Sequence, residues 1–234
     1  MISKNLSQKN LYKFSTFKKI INFLLNEGYT FETFKKKKFK SNKTIFLRHD
    51  IDLDPNYLKL FLNFYEEKKI KCNIFIMLNS NTYNIFDEDN IKFINDIAKK
   101  HLIGFHLDSN ITKNKDALST VSFIKKYIKL SNSVSFHRPS QNDLKKGLSK
   151  KIINTYSEKF TGKNFTSYVS DSGQKKNFHI KLIKLVKTNN PIQLLIHPVW
   201  WQNISDRKRI KKKIIKDQKN KIQIYLKKNF SNKL

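Results

Sequence analysis

The chain has 234 residues, enough for one substantial core, and its apolar and aromatic content is too high for a disordered polymer. No apolar run approaches the ~20 residues that span a bilayer. The formal net charge of +30 invites a nucleic-acid reading, yet only four of the 48 basic residues are arginines (Arg48, Arg138, Arg207, Arg209) and the lysines spread along the whole chain, so the charge reads as a solvated lysine-rich surface.

In chain order, Phe17, Ile20, Ile21, Leu24 and Leu25 recur at helical spacing over 16–27, with Gly28 as a stop. A lysine-rich loop follows over 35–43. Residues 44–49 read as a short buried strand ending in a polar cluster. Asp54 and Pro55 supply a cap and a first-turn proline for a helix over 55–69. Buried strands are expected at 72–78, 102–106 and 133–137, alternating with amphipathic helices over 88–100 and 114–130. The pattern weakens afterwards. Residues 148–158 read as helical, 166–170 and 192–196 as strands, and 206–228 as a basic terminal helix with Ile210, Ile214 and Ile215 on one side.

Nearly all-apolar strands alternating with helices predict a parallel sheet covered by helices. The polar clusters fall at the strand C-terminal ends, over 48–52, 106–110, 137–140, 171–173 and 197–201. In parallel α/β folds that rim is where sites assemble. The expected fold is therefore α/β: a distorted, partly open (β/α) barrel. It is expected to form a single domain over 1–234, with its motif-bearing core at 44–201 and a basic helical C-terminal segment at about 206–229. The polar N-terminus lacks the apolar stretch of a secretory signal. The lone Cys72 excludes an internal disulfide. Together they lead us to expect a cytoplasmic protein. Some non-specific attraction to anionic polymers follows from the charge, and peripheral contact with anionic surfaces stays open. No specific nucleic-acid partner and no membrane-spanning segment are expected.

The scarce residue types cluster at that rim. Arg48 and His49 precede Asp50 and Asp52. Carboxylates two apart on extended chain share a face, so one can bind a metal while the other takes a proton. The same residues can equally be a turn cluster before Pro55. His106 follows Gly104 at a strand end, as a metal ligand or a hydrogen-bonded rim histidine. Arg138, in His137-Arg138-Pro139-Ser140, can orient a carboxylate or form a structural ion pair. Asp171 can hold a histidine across the site or serve an Asp-Ser-Gly turn. His197 ends an apolar strand, where a histidine can act as general acid. Trp200 and Trp201 can wall a sugar site or pack the core. No phosphate loop or zinc-finger spacing is present.

In this order and spacing the segments resemble the polysaccharide deacetylase superfamily, the NodB-homology or carbohydrate esterase family 4 type. The Arg-His-Asp-Ile-Asp opening and the His-Pro-Val-Trp-Trp close look especially like a branch associated with bacterial surface-polysaccharide genes. The resemblance implies hydrolytic removal of an acetyl group from an N-acetyl sugar, with zinc or a similar divalent metal. It makes Asp50 the general base, Asp52 and His106 metal ligands, Arg138 the residue orienting the base, His197 the general acid held by Asp171, and Leu195 part of the acetyl pocket. The family's second metal histidine falls at Asn110. The remaining ligand is then Asn110 itself, Asp108, His137 or water, and asparagine is the poorer zinc ligand. That departure keeps two further readings open: hydrolysis of another amide or C–N bond, and a catalytically impaired carbohydrate-binding accessory protein.

Overall fold

A computed structural model describes residues 11–34, 42–145, 148–162, 166–174, 177–204 and 206–230. The lysine-rich loop expected at 35–43 lies largely outside the described residues. In chain order the elements are α1 (Phe14–Asn26), β1 (Thr30–Phe31), β2 (Thr44–Ile51), α2 (Lys59–Glu67), β3 (Asn73–Met77), α3 (Glu88–Ile97), β4 (Leu102–Asp108), α4 (Ala117–Ile124), β5 (Ser133–His137), α5 (Gln141–Lys145), β6 (Ile153–Asn154), α6 (Glu158–Thr161), β7 (Ser167–Ser170), α7 (Phe178–Val186), β8 (Ile192–Ile196) and α8 (Arg207–Phe230).

The eight strands form one sheet, ordered β6-β5-β4-β3-β2-β8-β7, with β1 added beside β2. Every pairing is parallel. From β2 to β6 each strand pairs with its successor, and β8 returns to β2. The order is therefore that of a barrel, open between β6 and β7 among the described residues. The expected partly open (β/α) barrel is the observed architecture.

Local chemistry places the elements. Asp54 accepts a hydrogen bond from the Asn56 backbone N–H at 2.9 Å, and Pro55 opens a 3-10 turn (Pro55–Leu58) that runs into α2. Asp87 caps α3, whose first turn carries Glu88 and Asp89, where anions favour a helix N-terminus. The outer faces of the strands and the inner faces of α1 and α2 meet in one large apolar core containing Phe17, Ile21, Leu24, Phe61 and Tyr65. A second apolar cluster of Phe34, Phe46, Phe75, Leu102 and Phe160 fills the barrel interior at the strands' N-terminal end. Gly104 makes room for it: a Cβ there would meet the Phe75 ring at 2.3 Å. All eight residues of β2 are buried, including Arg48, His49 and Asp50.

Two expectations change and one helix is added. Of residues 148–158, expected as a helix, only Glu158 is helical. The segment carries the short strand β6, whose Ile153 and Asn154 pair with Ser133 and Val134, and α6 starts only at Glu158. The helix expected over 114–130 is a 3-10 turn (Asn114–Asp116) followed by α4, which ends at Ile124. Residues 178–186, unassigned from the pattern, form α7 and bury Phe178, His179, Leu182 and Val186.

Candidate metal centre and active site

Alternate residues of a strand share a face. On β2 that rule sends Phe46, Arg48 and Asp50 inward, and Asp52 follows at the rim. The register sets Met77 beside His106 and His106 beside Ser135, and Arg48 beside Leu195. His137 ends β5 and His197 directly follows β8. The result is a cleft of about 340 Å³ at the C-terminal rim, lined by Asp50, Asp52, His106, His137, Leu195, His197 and Trp200 among others.

Asp52, His106 and His137 each offer a ligand atom, and these atoms lie within 4.8 Å of one another. His106 Nε2 is 3.1 Å and His137 Nδ1 3.4 Å from Asp52 Oδ1. That oxygen is buried and has no hydrogen-bond partner. A buried carboxylate oxygen without a hydrogen bond is costly unless a cation serves it. Burial opposes the Asp52 charge, but the neighbouring imidazoles of His106, His137 and His197 outweigh it and hold its carboxyl far below the usual range. The far nitrogen of His106 is also prepared. Nδ1 lies 2.7 Å from Ser135 Oγ, whose hydroxyl reaches Asp50 Oδ1 at 3.5 Å. With the hydroxyl donating to Asp50, Nδ1–H donates to Ser135 and Nε2 keeps its lone pair for a metal.

Of the alternatives for the remaining ligand, His137 is the one that joins Asp52 and His106. Asp108 Oδ1 accepts the Asn110 backbone N–H at 3.0 Å in the turn after β4, and Asn110 is exposed.

Asp50 is held from beneath by Arg48 rather than by Arg138. Arg48 Nε and Nη2 reach the two Asp50 oxygens at 2.8 and 2.6 Å, a bidentate pair in which the guanidinium is fully buried. Its Nη1 donates to Gln193 Oε1 at 3.0 Å and to Thr155 Oγ1 at 3.3 Å, and its Nη2 donates to Tyr156 Oη at 3.1 Å. Burial raises the Asp50 pKa, but Arg48, His106 and His197 outweigh it and the carboxyl stays below its ordinary value. Arg138 is exposed on the cleft wall with φ of 46°, and no ion pair joins it to Asp50. The arginine assignment moves because residue 48 sits two positions before Asp50 on one strand and so shares its face.

His197 and Asp171 form the expected dyad. Asp171 Oδ1 is 2.5 Å from His197 Nδ1, while Oδ2 accepts the His197 backbone N–H at 2.8 Å and the Trp201 indole N–H at 2.6 Å. Burial disfavours the imidazolium, yet Asp171, then Asp52 and Asp50, push the His197 pKa up to about 9. His197 Nε2 is left facing the cleft, 3.8 Å from Asp52 Oδ2. Trp201 is thereby corrected: fully buried among Tyr12, Phe17 and Phe178, it fastens Asp171 and walls no ligand site. Trp200 is half-buried and lines the cleft, as does Leu195.

The residues not foreseen are Ser135, Tyr156, Gln193 and Thr155. Gln193 and Ser135 were legible in principle, as polar residues in buried strands at the period of Leu195 and His137. Tyr156 and Thr155 follow a strand that was read as helix.

No protein-family model matches the chain, and no curated protein matches it. Among solved structures it is similar to the catalytic domain of a peptidoglycan N-acetylglucosamine deacetylase from Eubacterium rectale, with 15% identity over 79% of this chain and 87% of that one and a TM-score of 0.46. It is similar to the chitin deacetylase of the fungal pathogen Colletotrichum lindemuthianum, with 16% identity over 74% and 81% and a TM-score of 0.43. A CE4 family pseudoenzyme from Bacillus anthracis matches at 14% identity over 78% and 63%, with a TM-score of 0.41. At these identities the likeness is one of fold, and the chemistry is read from this chain's own side chains.

Proposed function

We propose that the chain is a metal-dependent N-deacetylase that removes an acetyl group from an N-acetylated sugar of a surface polysaccharide or its precursor. The observation that carries this reading is the buried, unpartnered Asp52 Oδ1 faced by His106 and His137, with Asp50 and His197 beside it in one cleft. One carboxylate and two imidazoles suit zinc with an open position. Bound there, the metal supplies a Lewis acid for a carbonyl oxygen and lowers the pKa of water.

The chain's own groups divide the remaining work. Asp50, kept ionised by Arg48, accepts a proton from the attacking water. His197, charged through its contact with Asp171, donates a proton at Nε2 to the departing amine. Leu195 offers an apolar surface for the acetyl methyl, and Trp200 a flat face for a sugar ring.

The test joins elemental analysis to acetate release from N-acetylated sugars. The expected result is about one divalent metal per chain, lost in Asp52→Ala, His106→Ala and His137→Ala but retained in Asn110→Ala. Folded Asp50→Asn should keep the metal and lose acetate release by about 10²-fold or more. A native protein that takes up no divalent metal overturns the reading. Metal binding and sugar binding without acetate release would indicate the impaired, carbohydrate-binding form.

A further inference from the structure

Helix α8 spans Arg207–Phe230 and carries eleven lysines and arginines against one acidic residue, Asp217. Its first half is fastened to the barrel. Ile210 is buried against Tyr57 and Val199, Tyr57 Oη donates to Asp217 at 3.2 Å, and just past the midpoint Lys221 makes the last contact with the barrel, pairing with Asp54. Every residue from 221 to 230 is exposed. In that last stretch Ile222, Tyr225, Leu226 and Phe230 recur at i, i+3, i+4 and i+8, which sets them on one side of the helix. They are 59, 65, 46 and 66% exposed. Lys227 and Lys228 fall on the other side, together with Ile224 and with Lys221, which is held by Asp54.

An exposed apolar stripe marks an interaction surface, and the charge around this one selects the occupant. A second copy of a chain with formal charge +30 would be repelled. Nucleic-acid phosphates would take the lysines but leave the isoleucines, leucine and phenylalanine in water. A basic amphipathic helix with an apolar face suits an anionic phospholipid surface on both counts: the side chains enter the headgroup–acyl boundary and the lysines meet the lipid charge. We propose that the C-terminal half of α8 docks this protein on an anionic bilayer surface. No helix among the described residues is long and apolar enough to cross one, so the contact is peripheral. The same helix begins on the wall of the site: Lys211 and Ile214 border a cavity of about 560 Å³ shared with Asp52, His137 and Trp200. Docking through α8 therefore brings the cleft close to the membrane. This inference does not depend on the deacetylase reading.

The test is co-sedimentation of the full chain with vesicles of phosphatidylcholine alone and of phosphatidylcholine mixed with phosphatidylglycerol, at near-physiological salt. The protein should bind the mixed vesicles and not the neutral ones. Leu226→Glu/Phe230→Glu should weaken binding by about tenfold or more, since it removes apolar insertion and adds like charge to the lipid. Ile180→Glu, which alters an exposed isoleucine on α7, should leave binding unchanged. Thermal melting of each variant confirms that the fold is intact. Equal binding by the Leu226→Glu/Phe230→Glu variant overturns the proposal and leaves only the diffuse charge of the surface. So does binding to duplex DNA that strips the protein from the vesicles, or absence of binding to either vesicle.

Discussion

Two basic regions of this molecule obey opposite rules. Beneath the cleft a single guanidinium, Arg48, is wholly buried, and partners on β2, on β8 and after β6 share its N–H groups. Along α8 eleven cations lie on one helix with a single carboxylate among them. Removing a buried charge from its partner leaves the partner stranded in low dielectric, whereas an exposed lysine is already satisfied by water. Net charge therefore says little about function here. Placement decides which cation shapes a site, which binds a surface and which does neither.

The sharpest way to break the comparison is to remove Arg48. Arg48→Met should cost about 3–5 kcal/mol in urea unfolding, because it leaves Asp50 buried without its partner. Arg138→Met, on the exposed wall, should stay within about 0.5 kcal/mol. Arg48→Met/Asp50→Leu should recover much of the loss by removing the stranded charge along with its partner. If Arg48→Met unfolds at the parent midpoint, the bidentate pair does not hold the interior together.

A smaller effect separates the buried histidines from the surface lysines. Burial pushes His49 down to a pKa of about 3, and His101 and His179 down to about 4. In the unfolded chain each returns to about 6.5. The unfolded state therefore binds more protons below that value, so stability is full above about pH 6.5 and falls as pH drops towards 4. Each histidine contributes a slope of up to about 1.4 kcal/mol per pH unit. His179→Phe, placed among Tyr12, Phe178 and Trp201, should flatten the slope of the urea midpoint between neutral and mildly acidic pH. An unchanged slope would mean that His179 is not held neutral.

The same contrast explains what was legible before the structure. Apolar strands announce themselves, so β2, β3, β4, β5 and β8 followed from local pattern, and their alternation with helices pointed to a partly open barrel. β6 and α6 did not, because Ile153 and Asn154 form a strand of only two residues, held to β5 by register rather than by any periodicity of their own. Asp52, His106 and His197 were legible as scarce residues at strand ends. His137 could not be separated from Asn110 and Asp108, because residue spacing along one loop says nothing about the neighbouring strand that brings a better ligand across the rim. The arginine was assigned to the wrong strand for a similar reason. Arg138 stands exposed on the cleft wall just past the end of β5, while Arg48 shares a strand face with Asp50. Trp201 shows the limit of residue type: two adjacent tryptophans divide between cleft and core, and only the 2.6 Å bond to Asp171 tells them apart.

The smallest expected effect lies on α8 and runs opposite in sign to the others. Lys208, Lys212 and Lys216 are all exposed and stand four residues apart, so each faces a like charge on the next turn. Lys212→Glu replaces two repulsions with two attractions. Thermal melting should show a gain in stability of about 0.5–1 kcal/mol, while vesicle binding weakens through the loss of positive charge. A helix that becomes more stable when its charge is lowered is not built for stability alone. If Lys212→Glu instead leaves vesicle binding untouched, the lysines of the first half of α8 are solvated surface and only the terminal stretch meets the lipid.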